Sequence, residues 1–181
     1  TLGASYALAT LIAAAALIER ERMPESSPRK ASVRVKILGD GPDRERLERL
    51  AEELRAPVDF LGYASYDLMA AYLCASDITV NSLVKSAAQS IVTKIGDYLA
   101  SGKPMVNTGS SPEFREKVDS EGFGVNVPAE DPRALADALA SLADRSSTRK
   151  IMGAKARSVA EREFDQPHSY RAIVDLLRTL L

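Results

Sequence analysis

Apolar strand-like runs alternate with helix-length segments along almost all of the 181 residues. This predicts an α/β fold, a mostly parallel sheet with helices on both faces. Two observations carry the prediction. Five short apolar runs, at 33–38, 58–61, 78–81, 105–108 and 124–127, each end at a glycine or a polar turn. Residues 78–108 also form a complete strand, polar loop, helix, glycine stop and strand, which is a βαβ unit.

The elements follow in order. Leu8, Leu11, Ile12, Ala15 and Ile18 recur at helical spacing, so 8–18 reads as a buried alanine-rich helix. That run is too short to span a bilayer and passes straight into Glu19-Arg20-Glu21-Arg22, which argues against a signal peptide or membrane span. Residues 23–32, rich in proline, serine and charge, read as an exposed loop, and 33–38 as a strand closed by Gly39-Asp40-Gly41-Pro42. Leu47, Leu50 and Leu54 among charges make 43–55 an amphipathic helix. A short strand at 58–61 leads to Gly62-Tyr63, and Ser65 caps a helix running through Cys74. After the 78–81 strand, Ser90 is placed to cap a helix from Ile91 to Ala100, stopped by Ser101-Gly102 before Pro104. Helices are then expected at 112–121, 131–143, 146–163 and 167–181. A sheet of this kind normally opens on a strand, whereas this chain opens on Thr1-Leu2-Gly3-Ala4-Ser5 and has no initiator methionine. The expectation is a fragment cut inside or just after its first strand.

Composition narrows the functional classes. Lys plus Arg number 24 against 25 Asp plus Glu, so the basic excess of a nucleic-acid-binding domain is missing. One cysteine rules out an internal disulfide framework, and Cys74 within an apolar run reads as a buried packing thiol. A single histidine, His168, and no Cys/His cluster argue against a metal centre.

The candidate site lies where right-handed crossovers place it, at the carboxyl ends of the strands. The loops there are 3–5, 39–42, 62–65, 82–90 and 108–112. Backbone N–H groups near Ile91 would meet a phosphate at the helix start, and Asp97, two turns into the helix, would receive hydroxyls. A nucleotide sugar has both features. Gln89 and Ser90 would stand beside it, with Gln89 able to touch a sugar hydroxyl.

These segments together resemble the donor-binding, C-terminal half of the two-Rossmann-domain retaining glycosyltransferases called family 4 or group 1. The resemblance covers nearly the whole chain. Ile37-Leu38-Gly39-Asp40-Gly41-Pro42 is similar to the family's strand-then-GDGP segment, and Val58–Tyr63 to its V-x-F-x-G strand. Asp97–Pro104 is similar to its glutamate-then-A-x-G-x-P run, and Gly122–Val125 with Asp131-Pro132 to its closing segment. Thr1–Tyr6 resembles the tail of the first strand and the first donor loop. The sequence departs from the family where two glutamates eight positions apart are usual: Gln89 and Asp97 stand there. The first loop also lacks the family's phosphate-gripping cation, for which Lys85 and Lys94 are the substitutes.

The resemblance implies one Rossmann-like nucleotide-sugar-binding domain over 1–181, with 164–181 as a C-terminal helix returning toward an absent N-terminal acceptor domain. It implies metal-independent transfer from a UDP-, GDP- or similar nucleotide sugar, with no cofactor. The setting would be cytoplasmic polysaccharide or glycoconjugate assembly, compatible with peripheral association of the full-length enzyme with the inner face of a membrane. The family's catalytic histidine would come from the other half, so no catalytic residue is assigned here and the isolated fragment is expected to be inactive. The substrate-binding candidates are Gly3, Ala4, Tyr63, Lys85, Gln89, Ser90, Ile91, Lys94 and Asp97. A non-catalytic nucleotide-binding module and half of a nucleotide-sugar epimerase stay open as alternatives.

Each candidate has a plainer role beside the functional one. Tyr63 stacks on a base or is a half-buried loop side chain; Lys85 and Lys94 are phosphate contacts or solvated charges. Gly39 and Gly41 serve the turn. Glu113 sits in the first turn of its helix, where the dipole favours a carboxylate, or faces the sugar. His168 reads as a surface residue, and Lys155, Arg157 and Arg162 as a solvated helix face. The stripe Tyr170, Ile173, Val174, Leu177 and Leu180 would stay partly exposed without a second domain, favouring self-association.

Overall fold

A computed structural model of the chain describes residues 2–22, 32–87, 93–164 and 174–179. Within these residues, 174–179 aside, the elements follow the expected alternation: α1 (Leu8–Arg22), β1 (Val35–Leu38), α2 (Arg44–Leu54), β2 (Val58–Gly62), α3 (Tyr66–Ala75), β3 (Thr79–Asn81), α4 (Lys94–Ala100), β4 (Met105–Asn107), α5 (Pro112–Glu121), β5 (Gly124–Asn126), α6 (Pro132–Asp144) and α7 (Ser146–Glu163). Among the described residues all strand pairing is parallel, in the orders β1-β2 and β3-β4-β5.

Residues 2–7 tie these two sheets together at their carboxyl ends. Leu2 N–H donates to Asp40 O and Asp43 N–H to Leu2 O, beyond β1. Ala7 N–H donates to Ser82 O, Val84 N–H to Ser5 O, and the Ser82 hydroxyl to Ala7 O, beyond β3. Gly41 makes the first junction possible, because a Cβ there would come within 2.3 Å of Leu2 O.

Side-chain alternation along the short strands builds two cores. Val106 points to the face covered by α1 and α6, among Leu11, Ala14, Ile18, Leu135 and Leu139. Its neighbour Met105 points to the other face, among Ile95, Leu99, Phe114, Phe123, Ala156 and Val159 of the α4, α5 and α7 side. Ile12, Leu47 and Ala51 continue the first side across α1 and α2 onto Val58 and Phe60. The alanine run of α1 is thus a close-packing surface, with Ile12, Ala14, Ala15 and Ile18 fully buried. No described helix is long and apolar enough to cross a membrane.

Ser65, Ser111 and Asp131 cap α3, α5 and α6 through side-chain oxygens that accept from backbone N–H groups. Helix α7 crosses the end of α4 at Gly153, where an added Cβ would lie 2.2 Å from Gly102 O. Arg157 pins the same crossing by donating to Ala100 O. Gly153→Ala is therefore expected to lower unfolding stability by about 2 kcal/mol, measured by chemical denaturation, because backbone meets backbone and neither can yield cheaply.

The structure corrects two sequence expectations here. Cys74 is exposed, because α3 is an apolar helix that buries none of its residues. Strand β1 starts at Val35, while Val33 still packs against the core beside it. The expected helix at 167–181 is described only as a helical turn at 174–179, whose Val174 and Leu177 are exposed; Tyr170, Ile173, Leu180 and His168 lie outside the described residues.

Candidate functional site

Helix α4 centres the site. Its described part opens at Lys94 after Thr93 and places Asp97 in the first described turn. Gln89, Ser90 and Ile91, with the cap expected from Ser90, fall outside the described residues.

Lys94 and Asp97 are neighbours on the helix, three residues apart, yet each is met by a tyrosine from another segment. The Lys94 ammonium sits 3.7 Å from the centre of the Tyr6 ring, a cation–π contact that joins α4 to the 2–7 segment. The Tyr66 hydroxyl, at the start of α3, donates to Asp97 Oδ1 at 3.0 Å. That hydrogen bond, then the carboxylate's charge, raises the Tyr66 phenol above its ordinary range. Tyr98, the next residue on α4, has a desolvated phenol. Burial first, then nearby Tyr6 and Asp97, push it from 10.0 to about 12.

The Tyr98 shift has a thermodynamic consequence. The folded chain keeps this proton more tightly than the unfolded chain, so its contribution to stability is full below pH 10.0 and is lost as pH rises toward about 12. Denaturation midpoints should fall across that interval, and Tyr98→Phe should remove part of the fall.

The remaining candidates occupy the same edge but not one spot. Gly3 and Ala4 lie in the 2–7 segment, Gly3 half-buried and Ala4 exposed. Tyr63, expected either to stack or to be half-buried, is 87% exposed just past β2. Lys85 faces a different feature. With Thr108, Ser110, Arg115, Pro128 and Ala129 it lines an open cavity of about 380 Å³ beyond β4 and β5. Glu113 is exposed in the first turn of α5. The larger cavity, about 420 Å³ among Ala51, Arg55, Val58 and Phe60, opens at the amino end of β2, opposite the edge where parallel sheets take ligands.

Beneath the loops runs a polar ladder. β3, β4 and β5 each end in Val-Asn, and the register places Asn81, Asn107 and Asn126 side by side. Asn81 Nδ2 donates to Asn107 Oδ1 and Asn107 Nδ2 to Asn126 Oδ1, both at 2.8 Å, while Asn126 Nδ2 donates to Arg115 O. Gly109 N–H also donates to Asn107 Oδ1. Arg115 in turn donates to Gly109 O and Val127 O, locking the loops after β4 and β5. Thr108 links the next loop over, its hydroxyl accepting from Leu83 N–H and donating to Leu83 O. The three-fold Val-Asn repeat was the available signal for this ladder in the sequence.

Parallel strands flanked by helices, with polar loops gathered at their carboxyl ends, define a Rossmann-like domain. The chain belongs to the group 1 glycosyl transferases: that family's model matches residues 4–145. Three solved structures show the same fold. Sucrose-phosphate synthase from Thermosynechococcus elongatus superposes with a TM-score of 0.76 at 22% identity, over 97% of this chain and 42% of that one. Anabaena HepE, solved with UDP and glucose, gives 0.71 at 18% identity, over 93% and 44%. The C-terminal domain of the group 1 glycosyl transferase LpcC from Francisella tularensis gives 0.71 at 17%, over 90% of this chain and 81% of that domain. The chain thus spans less than half of the first two proteins. No curated protein matches the sequence.

Proposed function

We propose that the chain is the nucleotide-sugar-binding half of a retaining, metal-independent glycosyltransferase of polysaccharide or glycoconjugate biosynthesis. The observation that carries this reading is the arrangement on α4, where a cation and a carboxylate stand within one turn at the carboxyl edge, the first met by Tyr6 and the second by Tyr66 of α3. A nucleoside diphosphate needs that pair: positive charge for the diphosphate, a hydrogen-bond acceptor for the ribose hydroxyls. The UDP found in the Anabaena complexes is a ligand of this class.

In the proposed reaction the bond from the anomeric carbon to the diphosphate oxygen breaks, and the leaving nucleoside diphosphate takes the electron pair. The acceptor oxygen bonds to the same face of the sugar and gives up its proton. Positive charge grows on the sugar ring as negative charge grows on the diphosphate. Lys94, preorganised against Tyr6, would stabilise that departing charge, a task for which one fixed donor typically contributes about 3 kcal/mol. Backbone N–H groups near Ile91 and the Gln89 amide would complete the grip, with Gly3 and Ala4 closing over it. Lys85, on its separate cavity, would act from the rim. The acceptor and the residue that handles its proton would come from an N-terminal partner domain, which would also cover the exposed Val174, Leu176 and Leu177.

Calorimetric titration of the chain with UDP, GDP and their sugars tests the reading. Saturable one-to-one binding is expected; a flat titration at millimolar ligand would contradict it.

A further inference from the structure

We propose that Tyr66 is a positioning residue for nucleotide recognition, one that acts through Asp97. The inference rests on the proposed function, because it assigns Asp97 the ribose hydroxyls. Within one helical turn a lysine and an aspartate normally find each other. Here the ammonium lies over the Tyr6 ring and the carboxylate accepts from Tyr66, so each charge has a partner other than its helix neighbour. With Oδ1 accepting from Tyr66, Oδ2 is left to accept from a ribose diol, and the carboxylate rotamer is set before the ligand arrives.

The position of Tyr66 fits this role better than a packing role. It is 68% exposed, and its helix buries none of its residues. Ser65, immediately before it, caps α3 by accepting from Leu68 N–H, which fixes where the tyrosine leaves the backbone. A side chain so exposed gives the core little, so its one polar contact is the feature to explain. Deleting the hydroxyl would release Asp97 to swing toward Lys94, and both ligand-facing charges would then be partly cancelled.

The test uses Tyr66→Phe, which keeps the ring and removes only the hydroxyl. Affinities of wild type, Tyr66→Phe, Asp97→Ala and the double variant are measured calorimetrically for UDP, GDP and ADP and for their 2′,3′-dideoxy counterparts. Tyr66→Phe should weaken ribonucleotide binding about three- to tenfold while dideoxynucleotides bind both proteins alike. The double variant should bind no more weakly than Asp97→Ala alone, since both changes act on one contact. Equal loss for ribo and dideoxy ligands would mark Tyr66 as merely structural and overturn the proposal, as would ribonucleotide binding unchanged from wild type. Wild type that binds none of the ribonucleotides would refute the parent reading, and this proposal with it. Wild-type binding with an indifferent Tyr66→Phe refutes this proposal alone.

Discussion

Asp97→Ala should weaken nucleotide binding by about ten- to a hundredfold, the loss carried by hydrogen bonds to a charged acceptor worth about 1.5–3 kcal/mol. The carboxylate sits in the first turn of α4 and accepts from Tyr66 at Oδ1, so a ribose hydroxyl would meet a group already oriented. Fold should be untouched: Asp97 is partly exposed, and the buried residues of its helix are Ile95 and Leu99. Calorimetry on the variant, with a melt as control, separates the two effects. Affinity equal to wild type would remove Asp97 from the site. Asp97→Asn should recover part of the loss, because the amide oxygen still accepts but carries no charge.

Asn107→Leu is expected to be the most damaging single change to stability. Asn107 is 0% exposed and all of its amide chemistry is satisfied inside the sheet. Replacing it strips partners from Asn81 Nδ2, Asn126 Oδ1 and the Gly109 N–H. Asn81 and Gly109 are buried, and each buried polar group left unpaired costs about 1–3 kcal/mol, so the total should reach about 3 kcal/mol or more. For a domain of this size that is roughly a 10 °C drop in Tm, and a large share of the 5–15 kcal/mol that holds typical domains together. A change of under about 1 kcal/mol would mean that the ladder is incidental. Because Asn107 also fixes the loops after β4 and β5, surviving variant should bind nucleotide with altered affinity even though it touches none.

The order of elements was legible because strands and helices in this chain have distinct periods and clear stops. Ser65 as a cap, Gly102 as a stop and the helices at 112–121 and 146–163 followed from local chemistry that the tertiary fold does not override. Cys74 was misread because apolarity predicts burial only when something packs on the helix, and a single sequence does not say what covers α3. Lys94 and Asp97 could be placed on one helix from spacing alone. Their tyrosine partners could not, since Tyr6 lies 88 and Tyr66 31 positions away in the sequence and only folding brings them together. The asparagine ladder needed the register of three strands, although the repeated Val-Asn ending announced it.

The most direct measurement is amide NMR of the labelled chain titrated with UDP and GDP. Saturable shifts are expected at Leu2–Ala7, Tyr66 and Lys94–Asp97, which carry the Tyr6–Lys94 and Tyr66–Asp97 contacts, and at Gly62 and Tyr63 on the same edge. Saturable shifts confined to the cavity at the amino end of β2, around Ala51, Arg55 and Val58, would contradict this expectation.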